Sequence, residues 1–276
     1  MARELLFSGH PLHSRNANQP TATGSNSIMI PLVILLALDT CDARGSLSFV
    51  RDGAVEETVL HIGDEPYSSW LFRAARELAH GRVFDFSQVD TFAVANGPGS
   101  FTGVRVGLTA VKAWAEVFAR PIVAISRLEV LASQSQSHAK YVAAFFDAHR
   151  GQVFGGLFAR DSSGLRKHGD EMVGVFREFR DWIESEAPAS AVAWISPDRQ
   201  LFAGEMGDGV EAGDMPLAPG LGRLAFERLR RGETVDALHL DANYVRRSDA
   251  EVLWKGPGHV GKRPQPAEAR LWRTTR

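Results

Sequence analysis

The sequence predicts an α/β protein with two related halves, and three features of the 276-residue chain support this. Short apolar or β-branched runs alternate with longer segments in which apolar residues recur at helical spacing. A glycine-rich run lies where one of these strands meets the longest helical segment. An apolar strand that ends in Asp, followed by Arg-Gly and a second strand, occurs early in the chain and again near its middle.

The first three predicted strands form an antiparallel meander. Leu32 to Leu38 is a continuous apolar run, as expected for a strand that is covered on both faces. Two further strands are predicted at 45–50 and 54–61, and the pair Asp52-Gly53 between them is typical of a hairpin turn. Because the connections are short, we expect each strand to pair with its neighbour along the chain.

Helices and strands alternate in the remainder of the first half. The predicted elements are a helix at 67–79, a strand at 90–95, a long helix at 104–119, a strand at 122–125 and a short helix capped by Ser126. The resulting order, β-β-β-α-β-α-β-α, is that of ribonuclease H-like domains, in which helices pack against a mixed sheet.

The second half repeats the beginning of the first. The apolar run at 141–146 ends in Asp147, and Arg150-Gly151 and a strand follow it. The first apolar run likewise ends in Asp39, and Arg44-Gly45 and a strand follow it. This repetition indicates an internal duplication. Two ribonuclease H-like units in tandem form the actin/Hsp70-like (ASKHA) architecture, which is the predicted fold class, here with a reduced second subdomain.

The predicted domain organisation has four segments. Residues 1–30 are polar, so we expect a disordered leader or an over-long start. Residues 31–137 form the N-terminal ribonuclease H-like subdomain, and residues 138–250 form a reduced C-terminal one. Residues 251–276 form a basic flexible tail. The elements predicted in the second subdomain after the repeated motif are helices at 176–184 and 220–231 and a strand at 191–195.

The composition excludes several classes of protein. Hydrophobic residues make up 44% and charged residues 23% of the chain, as in ordinary globular proteins. The net charge of −2 gives no overall basic field for nucleic acid. Because Cys41 is the only cysteine, neither an internal disulfide nor a cysteine-based zinc site can form. No apolar run reaches the roughly 18 residues of a membrane span, and we expect a cytoplasmic protein without membrane contact.

The most informative segment is the glycine-rich run NGPGSFTGVRVG at 96–107. It lies between a predicted strand and the long helix, where unpaired N–H groups and the helix dipole suit an anion or the close approach of another backbone. The run has no Lys-Ser/Thr pair, so it is not a Walker A loop, and it differs by one residue from the dinucleotide fingerprint. A sharp turn without a ligand is the alternative. The candidate anion or interface residues are Asn96, Gly97, Gly99, Ser100, Thr102 and Gly103.

Asp39 and Asp147 end equivalent strands and are the candidate strand-end acids. In actin-like ATPases, carboxylates at such positions can organise Mg²⁺ and water. That function needs a second phosphate loop and an adenosine pocket, which the second half does not obviously supply. We therefore favour the alternative that both side chains accept hydrogen bonds from loop amides. Cys41 has no His nearby in the sequence and is not expected to be a nucleophile.

Five segments of the chain, in order and spacing, resemble the TsaB (YeaZ) family of the TsaD/Kae1/Gcp superfamily. The resemblance extends over roughly Leu32 to Glu251, and the glycine-rich run is its most specific part. The matching segments are LALDT at 36–40, NGPGSFTGVRVGL at 96–108, ISRLEVLA at 125–132, FDAHRGQVF at 146–154 and NYVRRSDA at 243–250.

The resemblance implies an actin-like fold and a function in the synthesis of N6-threonylcarbamoyladenosine (t6A) in tRNA. It implies a non-catalytic scaffold or dimerisation subunit that pairs with a catalytic TsaD-like subunit and with a TsaE-like ATPase. tRNA would then be contacted through the complex. A homodimer and a nucleotide at the subunit interface are further possibilities that follow from the resemblance. Neither a cofactor of its own nor a metal site is expected.

The two N-terminal helices are the candidate partner interface. On the long helix, one apolar stripe from Val104 to Phe118 suffices for the core, and Val106 lies on a second stripe. Helices that are apolar on two sides are either fully buried or located at an interface. The resemblance favours an interface, with arginines at its rim. The candidate residues are Trp70, Phe72, Arg73, Arg76, Val106, Gly107, Ala110, Ala113 and Trp114.

Two other functions stay open on the sequence. The first is an actin-like-fold enzyme, either a nucleotide-dependent kinase or an autonomous TsaD-like transferase. Against it, the helix at 67–80 lacks the His-x-x-x-His pair that the resemblance implies for metal binding in the catalytic paralogue. The second is direct RNA binding, which would rest on the tail from Lys255 to Arg276 with six Lys or Arg residues against Glu268.

Overall fold

Two five-stranded mixed sheets form the framework of the part of the chain that the structure describes. The computed structural model describes residues 32–81, 85–162, 164–206 and 209–246. These residues belong to one compact unit. The predictions of a leader at 1–30 and of a tail at 251–276 lie outside the described residues.

The first sheet contains the predicted antiparallel meander and two parallel strands. Its strands are β1 (Ile34–Asp39), β2 (Ser46–Arg51), β3 (Ala54–Leu60), β4 (Thr91–Ala95) and β5 (Ile122–Ile125). Their order is β3-β2-β1-β4-β5, with β4 parallel to β1 and to β5. Asp52 and Gly53 turn the chain between β2 and β3 with φ angles of 48° and 79°, which confirms the predicted hairpin turn.

The second sheet has the same connectivity as the first. Its strands are β6 (Tyr141–Asp147), β7 (Gln152–Asp161), β8 (Gly164–Val175), β9 (Val192–Ser196) and β10 (Val210–Ala212). Their order is β8-β7-β6-β9-β10, with β6, β7 and β8 antiparallel and β9 parallel to β6 and β10. Because β1 and β6 hold the same place in their sheets, the topology confirms the predicted duplicated, actin-like fold.

Within the described residues, six α-helices accompany the sheets. They are α1 (Tyr67–Gly81), α2 (Phe101–Phe118), α3 (Arg127–Ala132), α4 (Phe176–Glu186), α5 (Ala203–Met206) and α6 (Ala218–Arg230). Helices α1 and α2 pack on the first sheet and α4 packs on the second. Helix α3 packs on β6 and β7 of the second sheet, whereas α6 packs on β1 and β2 of the first. Each half of the chain therefore supplies one helix to the other half.

Helix α2 begins at Phe101, before the predicted start at Val104. It starts there because the Ser100 hydroxyl accepts a hydrogen bond from the Gly103 N–H (3.4 Å) and so caps the first turn. The helix ends at Phe118, and Ala119 follows in the left-handed conformation with a φ of 51°.

Strands β8 and β10 have no clear signal in the sequence. β8 (GLRKHGDEMVGV) is an edge strand in which charged residues and glycines interrupt the apolar alternation that predicts a strand. β10 has only 3 residues. The second sheet is thus complete, and the second half is reduced in its helices. After β9, α5 spans 4 residues, whereas its counterpart α2 after β4 spans 18.

Candidate functional site

The glycines of the 96–107 run bring helix α2 against the backbone that follows β1. A Cβ atom at Gly99 would collide with the Cys41 carbonyl oxygen, and one at Gly103 would collide with the Thr40 carbonyl oxygen. The Thr40 hydroxyl donates to the Gly103 carbonyl (2.7 Å), and the Ser100 N–H donates to the Cys41 carbonyl (2.6 Å). Of the predicted roles for this loop, the close approach of another backbone is the one its contacts explain.

The start of the loop also holds the C-terminal part of the described chain. The Asn243 N–H donates to the Asn96 carbonyl (2.8 Å), and the Asn96 side-chain amide donates to the Asp241 carbonyl (3.4 Å). Gly97 has a φ of +114°, and a Cβ there would lie 2.8 Å from the Asn243 carbonyl oxygen. Thr102 is exposed on the first turn of α2. The loop therefore joins β4, α2 and residues 241–243 at one place.

The two strand-end acids make the same local contact. Asp39 accepts a hydrogen bond from the Cys41 N–H (2.9 Å), and Asp147 accepts one from the His149 N–H (2.8 Å). In both turns the carboxylate bonds the amide two residues further along the chain. This is the geometry that the loop-capping interpretation describes.

A network of ion pairs connects the strand ends of the two sheets. Arg127 at the start of α3 has 1% of its surface exposed, and its guanidinium bonds Asp39 (3.2 Å) and Asp42 (2.7 Å). Arg44 extends the network by bonding Asp42 (2.8 Å) and Asp198 (2.7 Å), the latter in the second half of the chain. We call these five residues, Asp39, Asp42, Arg44, Arg127 and Asp198, the strand-end network.

Two cations of the strand-end network act on the pKa of Asp42. Burial alone would raise the pKa of Asp42, but the cationic neighbours Arg127 and Arg44 outweigh burial and lower that pKa to about 2. The Arg127 guanidinium lies over the Phe146 ring at 4.5 Å from its centroid. Sequence analysis did not identify Asp42, Arg127 or Asp198. Its one available signal was an arginine directly after the capping Ser126 in an otherwise largely apolar short helix.

Cys41 is fully buried beside this network. Burial, followed by the charge of Asp39, raises the pKa of the Cys41 thiol well above its usual range, and its Sγ donates to the Ala95 carbonyl (3.3 Å). Across the part of the chain that the structure describes, no group of three or more His, Cys, Asp or Glu residues is arranged to hold a metal ion. None of the helices described there is both long enough and apolar enough to cross a membrane.

Helices α1 and α2 leave an apolar groove on the surface. The stripe of α2 that includes Val104, Leu108 and Val111 is buried in the core. The second stripe faces outwards beside Phe72 of α1, which is 79% exposed. The groove between the helices encloses about 580 Å³. We call it the α1–α2 groove, and the predicted interface residues that line it are Phe72, Val106, Ala110, Ala113 and Trp114.

Trp70 and Gly107 lie in the interior, and their prediction as interface residues is wrong. Trp70 is 0% exposed, its indole N–H donates to the Leu60 carbonyl (3.0 Å), and its ring packs edge-on to Tyr67. A Cβ at Gly107 would lie 2.5 Å from the Thr40 hydroxyl oxygen. Both residues therefore support the fold of the isolated chain and offer no surface to a partner.

The two predicted rim arginines lie on the exposed side of α1. Arg73 pairs with Glu65 (2.8 Å) and with Glu77 (3.3 Å), and Arg76 is exposed. The pairs of Arg73 are solvent-accessible, so they contribute little to stability. Neither arginine is among the residues that line the α1–α2 groove, where the charged residue is Arg105, so their assignment to the rim of an interface stays a prediction.

The chain is similar to known proteins of tRNA threonylcarbamoyladenosine biosynthesis. A family model described as TsaD, tRNA N6-adenosine threonylcarbamoyltransferase, matches residues 62–192. The tRNA threonylcarbamoyladenosine biosynthesis protein TsaB of Bacillus subtilis (strain 168) is 28% identical over 229 residues, which cover 80% of this chain and 97% of that protein. The protein of the same description from Escherichia coli (strain K12) is 25% identical over 231 residues, covering 80% and 96% respectively.

A solved structure has the same fold. YeaZ from Pseudomonas aeruginosa superposes with a TM-score of 0.62 at 27% sequence identity, covering 77% of this chain and 99% of that one. The coverage of nearly the whole relative means that the similarity includes both halves of the chain rather than one repeated unit.

Proposed function

From the similarity of this chain to the TsaB (YeaZ) proteins of tRNA threonylcarbamoyladenosine biosynthesis, we infer its role. We propose that it is the non-catalytic partner subunit of a tRNA threonylcarbamoyltransferase. In this proposal it pairs with a TsaD-like catalytic subunit and with a TsaE-like ATPase, and it meets tRNA through that complex in the cytoplasm. It brings neither a cofactor nor a metal of its own, and any nucleotide lies at the subunit interface.

The observation that carries the proposal is the α1–α2 groove. Phe72 is 79% exposed, and the groove beside it is lined largely by apolar side chains with polar residues at its edges. Covering a side chain of this size stabilises a complex by about 1.5–3 kcal/mol. An apolar centre with a charged rim is the usual composition of a specific protein interface.

The extent of the family match supports a TsaD-like partner. The segment that resembles the TsaD family model, residues 62–192, includes both α1 and α2. A TsaD-like subunit would therefore present a corresponding pair of helices. Two such pairs can face each other across an approximate twofold axis, as in an isologous interface. The same geometry would allow two copies of this chain to associate when the partner is absent.

The strand-end network supports a non-catalytic role. In open α/β sheets, ligands bind outside the carboxyl ends of the strands, at the point where the strand order reverses. Here Asp39 ends β1, and its carboxylate is bonded to the buried Arg127. Asp198 bonds both Arg44 and the N–H of Asp147 at the end of β6 (2.9 Å). These contacts support the proposal, because the acid at the end of β1 is already paired with a side chain of the same chain.

The experiment that tests the proposal is light scattering on a size-exclusion column. The chain is measured alone and then mixed with the TsaD-like protein from the same source, with and without the TsaE-like protein and ATP. We expect a new heteromeric peak. Phe72→Asp and Val106→Asp should weaken pairing at least tenfold, since each places a charge in an apolar interface.

Leu201→Asp is the matched control, because Leu201 is also exposed (68%) but lies in the second half of the chain. It should pair like the wild type, and circular dichroism should show all three variants folded. Failure of the wild-type chain to form any heteromer would overturn the proposal. Equal weakening of pairing by Leu201→Asp and Phe72→Asp would show that the partner does not bind at the α1–α2 groove.

A further inference from the structure

A second cleft lies at the N-terminal end of α2, and its composition differs from that of the α1–α2 groove. It is formed by residues 98–101 and 104, by the β6–β7 turn with the start of β7, and by residues 243–246. We call it the basic cleft. It encloses about 430 Å³, a volume typical of small-ligand sites. Among the described residues that line it none is acidic, and the basic ones are His149, Arg150 and Arg246.

One wall of the basic cleft is a fixed aromatic stack. The Arg105 guanidinium lies 3.7 Å from the centroid of the Phe101 ring, and the Tyr244 ring centroid lies 4.9 Å from the Phe101 centroid. The Arg105 Nε donates to the Tyr244 hydroxyl (3.1 Å). Tyr244 is held in place by these contacts and is still 45% exposed. An oriented, exposed aromatic ring is the kind of surface on which a nucleobase stacks.

Arg150 and Arg246 bring positive charge to the same cleft. The Arg246 Nη2 group donates to the Ala148 carbonyl (3.0 Å) and to the Gln152 side-chain oxygen (2.7 Å), and the guanidinium lies 5.3 Å from the Phe154 ring centroid. These contacts fix the guanidinium plane and leave its Nε and Nη1 groups outside the two bonds. Arg150 is exposed on the adjoining turn. A guanidinium held in this way is suited to phosphate oxygens.

We propose that the basic cleft binds a nucleotide of single-stranded RNA, with its base on Tyr244 and its phosphate between Arg150 and Arg246. The choice of RNA over a free mononucleotide rests on the proposed function in tRNA modification. It also agrees with the sequence that continues from Arg246, which has Arg247 and six Lys or Arg residues between Lys255 and Arg276. Single-stranded RNA is bound in this manner, by stacking together with backbone charge.

The test is fluorescence anisotropy of a labelled anticodon stem-loop RNA with the full chain alone, so that it requires no partner. Tyr244→Ala should weaken binding about fivefold or more, the effect of losing one stacked base, without changing the salt dependence. Arg150→Glu should weaken binding and reduce the slope of log affinity against log salt by about 0.7, the value for one phosphate contact on a single strand.

Arg177→Glu is the matched control, because Arg177 is an exposed arginine on α4, the helix that packs on the second sheet. This variant should bind RNA like the wild type. Wild-type affinity in both cleft variants would overturn the proposal, as would an equal loss in the control. Binding that depends only on residues 251–276, or displacement of the RNA by ATP at lower concentration than by unlabelled RNA, would also overturn it. Light scattering of Tyr244→Ala and Arg150→Glu with the TsaD-like subunit shows whether pairing is intact. A failure of the RNA-binding proposal can thus be told apart from a failure of the partner-subunit proposal.

Discussion

Arg127 is a charged side chain with 1% of its surface exposed, and its surroundings explain how it can be buried. Burying a charge is costly unless it is paired and hydrogen-bonded. Arg127 bonds two carboxylates, of Asp39 and Asp42, and lies over the ring of Phe146. The pKa of Asp42 is lowered to about 2, so its contribution to stability is present above pH 3.8 and is lost as the pH falls through about 2.

Arg127→Leu should lower the free energy of unfolding by about 3–5 kcal/mol. The reason is that Asp39, which is 0% exposed, would lose its cationic partner and stay buried. Urea denaturation followed by tryptophan fluorescence measures the change. Arg177→Leu, at an arginine whose side chain is 80% exposed, should change stability by less than about 0.5 kcal/mol. Equal effects of the two substitutions would contradict the importance of the strand-end network.

Glu171 should give the stability of the fold a pH dependence opposite in sign to that from Asp42. Burial raises its pKa, although hydrogen bonds from the Ser126 hydroxyl and the Asn243 side-chain amide act to lower it. A carboxyl group whose pKa is raised on folding stabilises the fold while it is protonated. That contribution is lost as the pH rises from 4.5 through the raised pKa.

Glu171→Gln should remove this dependence, because an amide does not titrate. Ser126 and Asn243 bond different carboxyl oxygens of Glu171, so the single amide oxygen of the variant keeps one of the two bonds. The measurement is the melting temperature of both proteins at a series of pH values upwards from 4.5. We expect the wild type to lose stability relative to the variant as the pH rises. A constant difference between the two curves would show that Glu171 does not titrate in this range.

At this scale the sequence showed single residues but not their partners. Asp39 and Asp147 were identified because each ends an apolar run, which is a local signal. Asp42, Arg127 and Asp198 come together only in the folded chain. No local sequence pattern indicates that they are in contact. Trp70 was assigned to an interface because helical spacing shows that a residue is apolar but not whether the fold already covers it.

The elements were predicted where their local pattern was strong. The β1–β3 meander, the long helix and the capped helix α3 all have apolar periodicity or turn residues that depend on nearby sequence. β8 was missed because charged residues and glycines interrupt that periodicity along this edge strand. The start of α2 was placed too late because capping by Ser100, rather than apolar spacing, determines it.

Gly103→Ala tests the close contact between α2 and the backbone after β1. A Cβ at this position would collide with the Thr40 carbonyl oxygen, so the helix or the loop must move, and we expect a loss of about 1–3 kcal/mol. Gly204→Ala is the control, because Gly204 is also helical and a Cβ there meets no atom within 4 Å. It should be neutral or stabilising by up to about 1 kcal/mol. Thermal denaturation of both variants makes the comparison, and similar melting temperatures would argue against a tight contact at Gly103.

On the scale of the whole molecule, the duplication could be predicted and the exchange of helices could not. The repeated Asp and Arg-Gly motif marks β1 and β6 as equivalent strands, and the topology agrees. The apolar faces of α3 and α6 show that each helix covers a sheet, but not which one. That choice depends on contacts far apart in sequence, such as the packing of Gly222 in α6 against Ala37 and Val50.

The exchange of α3 and α6 affects how the chain is made on the ribosome. The first sheet is complete once β5 has been synthesised, yet α6, which covers β1 and β2, begins only at Ala218. From the synthesis of Ile125 until that of α6, the nascent chain therefore carries an apolar sheet face, including Ala37 and Val50, without its covering helix. An exposed apolar face of this kind favours association with other nascent chains. We therefore expect chaperones to bind the nascent chain until α6 emerges.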